Sequence, residues 1–232
     1  MRQSWGSLLF LHWRIDAALL RPLIPQELDI DEFDGSAWIG VVPFTMWGIR
    51  KTRTPAIPGL SAFHELNVRT YVHHRGVPGV WFFSLDAAKR IPVHVARATY
   101  QLPYFLARMK LERMDNAIQY RSERIHKRAP AAMLDMAWQI GAPLPESQPG
   151  TLEFFLTERY ALFAHGRRGL AHARIWHPPW PLQEAVVDRY ASTMIEALGL
   201  PEPTDQPLAH FANELHVDIW ALRSTDDRRD MP

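Results

Sequence analysis

The sequence predicts a mainly β chain of the α+β class, in which antiparallel strands joined by turns form most of the structure. Several segments alternate polar and apolar residues with the two-residue period of a strand. Nineteen prolines and twelve glycines divide the chain into short pieces, as turns between many strands do. Few segments carry the start and stop signals of a helix, so helices should be few and short.

Three helices are expected. The first begins after Asp16, a good N-cap residue, and ends before Pro22. The second begins at Thr151 and carries apolar residues at helical spacing. The third lies between Asp188 and Leu198, because Gly199 directly behind it is a typical helix stop.

Alternation of polar and apolar residues predicts the strands. A polar row of Glu65, Asn67, Arg69 and Tyr71 interleaves with apolar neighbours, and the row of Arg97 with Thr99 and Gln101 is read in the same way. Further strands are expected at residues 133–140 and 214–221, and a fully covered one at Val80–Leu85. Turns are predicted at Asp34-Gly35, Arg75-Gly76 and Arg168-Gly169.

Length and composition favour one domain over residues 1–232, of which residues 225–232 form a charged tail that we expect to be frayed. Twenty-six basic against 25 acidic side chains leave a net charge of +1. Such a balance gives no electrostatic reason to expect nucleic acid or an anionic membrane as partner. A small molecule or another protein is the expected partner.

The chain contains no cysteine, which excludes disulfides, thiolate nucleophiles and cysteine-ligated zinc. The apolar run at the N-terminus, Leu8–Leu11, is too short for a signal peptide, and no run has the length of a membrane span. These features predict a cytoplasmic protein. The close histidine sets, His73-His74, His172 to His177 and His210 to His216, lack the spacing of a metal site, so no metal and no other cofactor is expected.

Seven segments in order are similar to the YqjF-like family over almost the whole chain, and that family has no settled activity. The segments are LFLHWRIDAALLRPLIPQELDIDEFDG, AWIGVVPF, FHELNVRTYV, FFSLDAA, ARATYQLPY, FLTERYALF and HPPWPLQEA.

The N-terminal part also resembles acetoacetate decarboxylase, the enzyme that gives its name to the superfamily. Matching elements are Trp13, Arg14 and Asp16, then Ile24, Pro25 and Leu28, then Asp29 and Asp31. The segment Phe63, His64 and Glu65 matches the place of an active-site glutamate of the enzyme, and Ala96, Arg97, Ala98 and Pro103 match the segment before its lysine pair. The resemblance implies an antiparallel β-cone or barrel with a few packed helices and a central cavity; it also implies oligomers, among which a homodimer is the simplest.

Tyr104 and Phe105 stand where the enzyme carries its two lysines. A Schiff base needs an amine, so neither residue can form one, and the chain is not expected to be a Schiff-base decarboxylase. Lys89 beside Arg90 is the remaining candidate pair, although a solvated surface lysine is the ordinary interpretation. Lys51, Lys110 and Lys127 have charged neighbours that indicate solvent exposure.

The ligand-binding candidates are Glu65, Asn67, Arg69, Arg97, Tyr104 and His177. Glu65, Arg97 and Tyr104 are expected to face one cavity, where a carboxyl, a guanidinium and a phenol would suit a carboxylate or a carbonyl compound. Each has a plainer interpretation. The polar strand face can be exposed, Glu65 or Asp86 can form a buried ion pair with an arginine, Tyr104 can fill the core, and His177, at the corner before Pro178, can cap a turn.

The sequence therefore predicts a small-molecule site inside the barrel, whether the protein is an enzyme without Schiff-base chemistry or a silent binder. The alternative is a structural or protein-interaction role, with the cavity filled by side chains. Nucleotide-binding and serine-hydrolase motifs are missing from the sequence.

Overall fold

The computed structural model describes residues 1–50, 61–166 and 169–225. Within these ranges the chain forms thirteen strands, three helices and two 3-10 turns. The strands are β1 Arg2–Ile15, β2 Asp29–Ile30, β3 Ala37–Arg50, β4 Phe63–His74, β5 Val77–Ala87, β6 Tyr104–Met114, β7 Ala117–Arg124, β8 Met133–Pro143, β9 Ala161–Gly166, β10 Gly169–Trp176, β11 Leu182–Ser192, β12 Leu208–Ile219 and β13 Arg223–Ser224. The helices are α1 Ala17–Leu20, α2 Arg90–Tyr100 and α3 Leu152–Thr157, and the 3-10 turns are Arg21–Leu23 and Glu196–Leu198.

All thirteen strands belong to one sheet, and its pairings return to the strand from which they start. Taken in spatial order, β5, β6, β7, β8, β11, β12, β1, β3 and β4 each pair with the next, and β4 pairs with β5 again. Every pairing is antiparallel except β5–β6 and β5–β9. The prediction of a mainly β, mostly antiparallel chain with few helices is confirmed.

The two faces of the sheet bury two separate apolar clusters. One cluster includes Phe44, Leu85 and Trp180, and the other includes Leu66 and Trp138. Successive residues of a strand point to opposite faces of the sheet. Because burying a polar side chain against an apolar face costs free energy, a buried polar row requires a face that is not fully apolar. Strand β4 has such a row, and this polar row positions the site described below.

The strands predicted from alternation are β4, β8 and β12, and the apolar segment Val80–Leu85 lies in β5. The turns at Asp34-Gly35 and Arg75-Gly76 are confirmed by their left-handed backbone, with φ of 51° and 68° at the first and 51° and 81° at the second. Gly169 also has a positive φ, of 91°, while Arg168 lies outside the described residues.

Two of the three predicted helices are confirmed by their caps. Asp16 accepts a hydrogen bond from the main-chain N–H of Ala18 at 2.8 Å and begins α1. Thr151 accepts from the N–H of Phe154 at 3.3 Å and begins α3. In both cases the side-chain oxygen satisfies a donor that the helix itself leaves unpaired.

The helix predicted at residues 188–198 is wrong, because β11 runs to Ser192 and pairs with β8, so sheet pairing outweighs the helix propensity. The stop at Gly199 is real, but it ends only a 3-10 turn, with φ of 80° at the glycine. The strand predicted around Arg97 is also wrong, because Arg90–Tyr100 forms α2. Helix α2 ends at Gln101, which has a left-handed φ of 53°.

Over the described part of the chain, no helix combines the length and apolar character needed to cross a membrane. Residues 226–232, most of the predicted tail, lie outside the described residues, and so does Lys51.

Candidate functional site

The polar row of β4 is buried. Glu65, Asn67 and Arg69 expose 2 %, 4 % and 9 % of their surfaces, while Leu66 and Val68 between them pack in the cluster on the opposite face. An exposed polar face, the plainer interpretation of this row, is therefore wrong. Burying a carboxyl, an amide and a guanidinium costs free energy unless each finds partners, so the partners of each decide what the row does.

The row faces a cavity of about 160 Å³. Its polar lining includes Glu65, Asn67, Arg69 and Tyr104. Most of the remaining wall is apolar and includes Trp5, Leu8, Val42, Phe44, Met46, Phe63, Phe82, Leu85, Leu102 and Trp180. An apolar cavity of about 150 Å³ can hold benzene, so this one has room for a small organic molecule.

Glu65 meets Tyr104 at the cavity wall. The Tyr104 hydroxyl donates a hydrogen bond to Glu65 Oε2 at 2.9 Å, and Tyr120 donates to the main-chain oxygen of Glu65 at 2.9 Å. Burial is the main cause that raises the pKa of Glu65 to about 8; the Tyr104 hydrogen bond lowers this pKa in part, and the nearby Asp86 adds to the rise. Glu65 is therefore mostly a neutral acid at pH 7, and it can donate a proton or a hydrogen bond.

Arg69 lies four residues further along the same strand. Its Nη2 donates to the Tyr71 hydroxyl and to the main-chain oxygen of Leu156, both at a long 3.4 Å. Its guanidinium carbon lies 5.2 Å from the centre of the Phe10 ring, a cation–π contact. Among the described residues, Arg69 makes no ion pair, and its Nε has no hydrogen-bond partner.

Tyr71 and His12 support Arg69. The Tyr71 hydroxyl donates to the Leu156 oxygen at 2.8 Å, and His12 Nε2 lies 2.6 Å from the same hydroxyl. Because the hydroxyl proton is used by Leu156, His12 Nε2 must be the donor to Tyr71. Burial lowers the pKa of His12, so its ring is neutral. Alternation places Tyr71 on the polar row, but its role and that of His12 were not predicted from the sequence.

Asp86 and Arg124 form the buried ion pair that the sequence analysis left open for Glu65 or Asp86. Arg124 Nε lies 3.0 Å from both carboxylate oxygens of Asp86, and its Nη2 lies 2.8 Å from Oδ1. The Phe105 ring lies 4.2 Å below the guanidinium. Phe105 therefore packs against this ion pair.

Arg97 does not join the cavity. It lies on α2, is exposed, and donates from Nη1 to the main-chain oxygen of Tyr104 at 2.9 Å. It lines a separate outer groove together with Trp81 and Gln101. The expectation that Glu65, Arg97 and Tyr104 face one cavity is met by Glu65 and Tyr104 only, because a helix and a left-handed residue replace the expected strand before Tyr104.

His177 is buried behind the cavity wall. Its ring stacks on Tyr160 at 4.7 Å and lies 5.1 Å from Trp180, which does line the cavity. Its Nδ1 donates to the main-chain oxygen of Pro178 at 2.8 Å, and burial lowers its pKa. These contacts match the turn-capping interpretation, with His177 supporting Trp180 from behind.

The described lysines lie away from the cavity lining. Lys110 pairs with Glu112 at 2.8 Å, Lys127 is exposed, and Lys89 precedes α2 as its N-cap. In the part of the chain that the structure describes, no three histidine, aspartate or glutamate side chains cluster closely enough to hold a metal ion.

Comparisons with known proteins agree with the resemblances found in the sequence. The family DUF2071, described as "Uncharacterized conserved protein (COG2071)", matches residues 2–216. The "Uncharacterized protein YqjF" of Bacillus subtilis (strain 168) is 42% identical over 224 residues, which cover 96% of this chain and 91% of that protein.

Solved structures show the same fold at low identity. The enduracididine biosynthesis enzyme MppR complexed with pyruvate matches with a TM-score of 0.63 at 11% identity, over 96% of this chain and 89% of that chain. Acetoacetate decarboxylase from Legionella pneumophila matches with a TM-score of 0.59 at 14% identity, over 97% and 88%. The chain thus has an acetoacetate decarboxylase-like fold.

Proposed function

The chain belongs to the DUF2071 family, and from that premise we propose that its sheet forms a barrel whose central cavity binds a small carboxylate or carbonyl compound. The protein uses no Schiff base, because Tyr104 and Phe105 occupy the positions of the lysine pair. Glu65, Asn67, Arg69 and Tyr104 are the ligand-binding residues of this proposal.

One observation carries the proposal: Arg69 is a buried guanidinium that makes no ion pair with any described residue. A buried cation is stable only when an anion or several strong acceptors compensate for its lost hydration. The two hydrogen bonds of 3.4 Å compensate only weakly. A ligand carboxylate would complete the site, since guanidinium and carboxylate match each other in a bidentate fork.

Glu65 and Tyr104 give the site an acid. A neutral carboxyl group inside an apolar cavity can donate a hydrogen bond to a carbonyl oxygen, or protonate it if negative charge develops there. Whether the protein turns its ligand over or only holds it depends on this pair. The complex of MppR with pyruvate, a carboxylate with a neighbouring carbonyl, supports the choice of such compounds as probes.

A structural role is the second candidate function. The cavity is small, and aromatic side chains such as Trp5, Phe44 and Trp180 supply much of its wall. In this case the polar row would only shape the core, and no small acid would bind.

Differential scanning fluorimetry with a panel of small acids tests the proposal. Pyruvate, acetoacetate and butanoate are compared with their uncharged amides. A ligand at one hundred times its Kd stabilises the folded state by about 2.7 kcal/mol, so we expect an acid, but not its amide, to raise the Tm of the wild-type protein.

Arg69→Met should abolish that rise, and Arg97→Met, which removes an exposed arginine outside the cavity, is the matched control that should keep it. A panel in which no acid shifts the wild-type Tm favours the structural role. A shift that survives Arg69→Met would place the ligand elsewhere and refute the proposed site.

A further inference from the structure

We infer that the ligand has two polar ends: a carboxylate that binds Arg69, and a distal uncharged oxygen that binds Glu65 and Tyr104, with an apolar chain between them. This inference rests on the proposed function and specifies the class of ligand that the cavity takes. It follows from the distance between the two polar groups, from the wall between them and from the charges beside each end.

The two polar ends of the cavity lie far apart. Glu65 and Arg69 are four residues apart on β4, which places their Cα atoms about 13 Å apart in an extended strand. The Arg69 guanidinium contacts the hydroxyl of Tyr71, two residues further from Glu65. Glu65 and Arg69, both among the described residues, make no ion pair with each other. A compound as short as acetate can therefore reach only one of them.

The wall between the two ends is mainly apolar. Asn67, midway along the row, has Val42 beside it on β3 and Leu85 beside it on β5. Phe44 pairs with Glu65, and Phe82 pairs with Arg69. All of these residues line the cavity. A methylene chain that runs along β4 would bury its apolar surface here, at a gain of about fourfold in affinity per CH₂ group.

The charges at the two ends differ. Arg69 offers a cation, whereas the other end offers a carboxyl group, a phenol and, behind them, the buried Asp86 that acts on Glu65. A second carboxylate at that end would face these acidic groups, and the guanidinium of Arg124 there is already paired with Asp86. A hydroxyl or an aldehyde fits, because it can accept a hydrogen bond from the neutral Glu65. Dicarboxylates should therefore bind less tightly.

Isothermal titration calorimetry with a matched series of acids is the experiment. Acetate, butanoate, pentanoate and hexanoate are titrated at pH 6.5, together with the terminal-hydroxyl counterparts of the longer three and with the dicarboxylate adipate. We expect affinity to rise with chain length, and one hydroxy acid to bind roughly tenfold more tightly than its parent acid, as one additional buried hydrogen bond provides. Adipate should bind more weakly than the hydroxy acid of equal length.

Variants of the cavity residues test which side chain binds each end of the ligand. Glu65→Leu should remove the advantage of the hydroxy acid over its parent acid, while Glu65→Gln, which keeps a donor, should retain most of that advantage. Arg69→Met should weaken both acids alike, and Arg97→Met should weaken neither. Circular dichroism and the Tm of each variant, measured without ligand, show that it is folded.

The outcomes separate the inference from the proposed function. If acids bind through Arg69 but the hydroxyl adds nothing, or its effect survives Glu65→Leu, the two-ended ligand is refuted and the carboxylate site stands. If acetate binds as tightly as hexanoate, the same conclusion follows. If no acid binds in a way that depends on Arg69, both are refuted.

Discussion

Two pairs of buried ionisable residues in this sheet behave in opposite ways. Asp86 and Arg124 meet in a bidentate ion pair, with the nearest nitrogen and oxygen 2.8 Å apart. Glu65 and Arg69 are equally buried and share one strand, yet they do not pair, and the cavity lies along them. Only the first pair has the geometry that repays its desolvation within the protein.

The difference shows how to distinguish buried ionisable groups that stabilise the fold from those that form a binding site. A completed ion pair holds strands together, here β5 and β7, and leaves little interaction free for another molecule. An acid made neutral by burial and a guanidinium with weak acceptors keep their hydrogen-bonding capacity for a ligand. Such uncompensated groups are typical of binding and catalytic sites.

The largest effect is expected from breaking the ion pair between Asp86 and Arg124. Arg124→Met leaves the Asp86 carboxylate buried without its partner, and removing one member of a buried pair costs about 3–5 kcal/mol. We expect a loss of this size in the free energy of unfolding at pH 7, measured by urea denaturation.

Arg69→Met is the comparison for this loss. It removes a buried cation that has no carboxylate partner among the described residues, so the free energy of unfolding should change by about 1 kcal/mol or less. Equal losses of unfolding free energy in the two variants would contradict the distinction between groups that stabilise the fold and groups that form a binding site.

The second prediction concerns the pH dependence of stability. The pKa of Glu65 is raised to about 8 in the folded protein, so the folded state binds a proton that the unfolded state releases near pH 4.5. The stabilisation is complete below that pH and is lost as the pH rises through 8. We expect wild type to lose on the order of 5 kcal/mol over this range relative to Glu65→Gln, measured by urea denaturation at several pH values.

Asp86→Asn provides the contrast. Replacing Asp86 leaves the Arg124 guanidinium buried without its partner, so this variant should destabilise the protein at neutral pH. Parallel pH profiles for wild type and Glu65→Gln would show that Glu65 is ionised at neutral pH.

A smaller effect is expected on the pKa of Glu65, at the end of the cavity where Glu65 contacts Tyr104. Tyr104→Phe removes the hydrogen bond that lowers the pKa of Glu65, so the pKa of Glu65 should rise further, by roughly one unit for a bond worth about 1 kcal/mol. Titration of the Glu65 carboxyl carbon by NMR measures this shift. The control is Tyr120→Phe, which removes a hydrogen bond to the main-chain oxygen of Glu65 and leaves the bond to its carboxyl group in place. An unchanged or lower pKa in Tyr104→Phe would contradict the role of the phenol.

Much of the cavity's polar row could be predicted from the sequence, because alternation alone places Glu65, Asn67 and Arg69 on one face. Alternation does not tell whether that face meets solvent or a cavity; this depends on strands far away in the chain, such as β1 and β3. The match to an active-site glutamate pointed to Glu65, which lines the cavity.

The error at Arg97 has a local cause. Residues 90–100 contain valines and an alternation that also suits a strand, and no side-chain cap marks the start of α2. A helical signal was present, since the buried Val93 and the half-buried Tyr100 are seven residues apart and so share a helix face. The opposite error at residues 188–198 arises because pairing with β8 outweighs a favourable stop signal.

The last prediction is that a test for Schiff-base chemistry leaves the protein unchanged. Incubation of wild type with acetoacetate and borohydride should leave its mass unchanged, because no described lysine lines the cavity and an imine requires an amine beside the bound carbonyl. Tyr104→Lys is the positive control: burial against an apolar wall lowers the pKa of a lysine, so this variant should gain the mass of one reduced adduct at position 104. A stable adduct on wild type, at Lys89 or at Lys51, would show that the protein retains Schiff-base chemistry through another lysine.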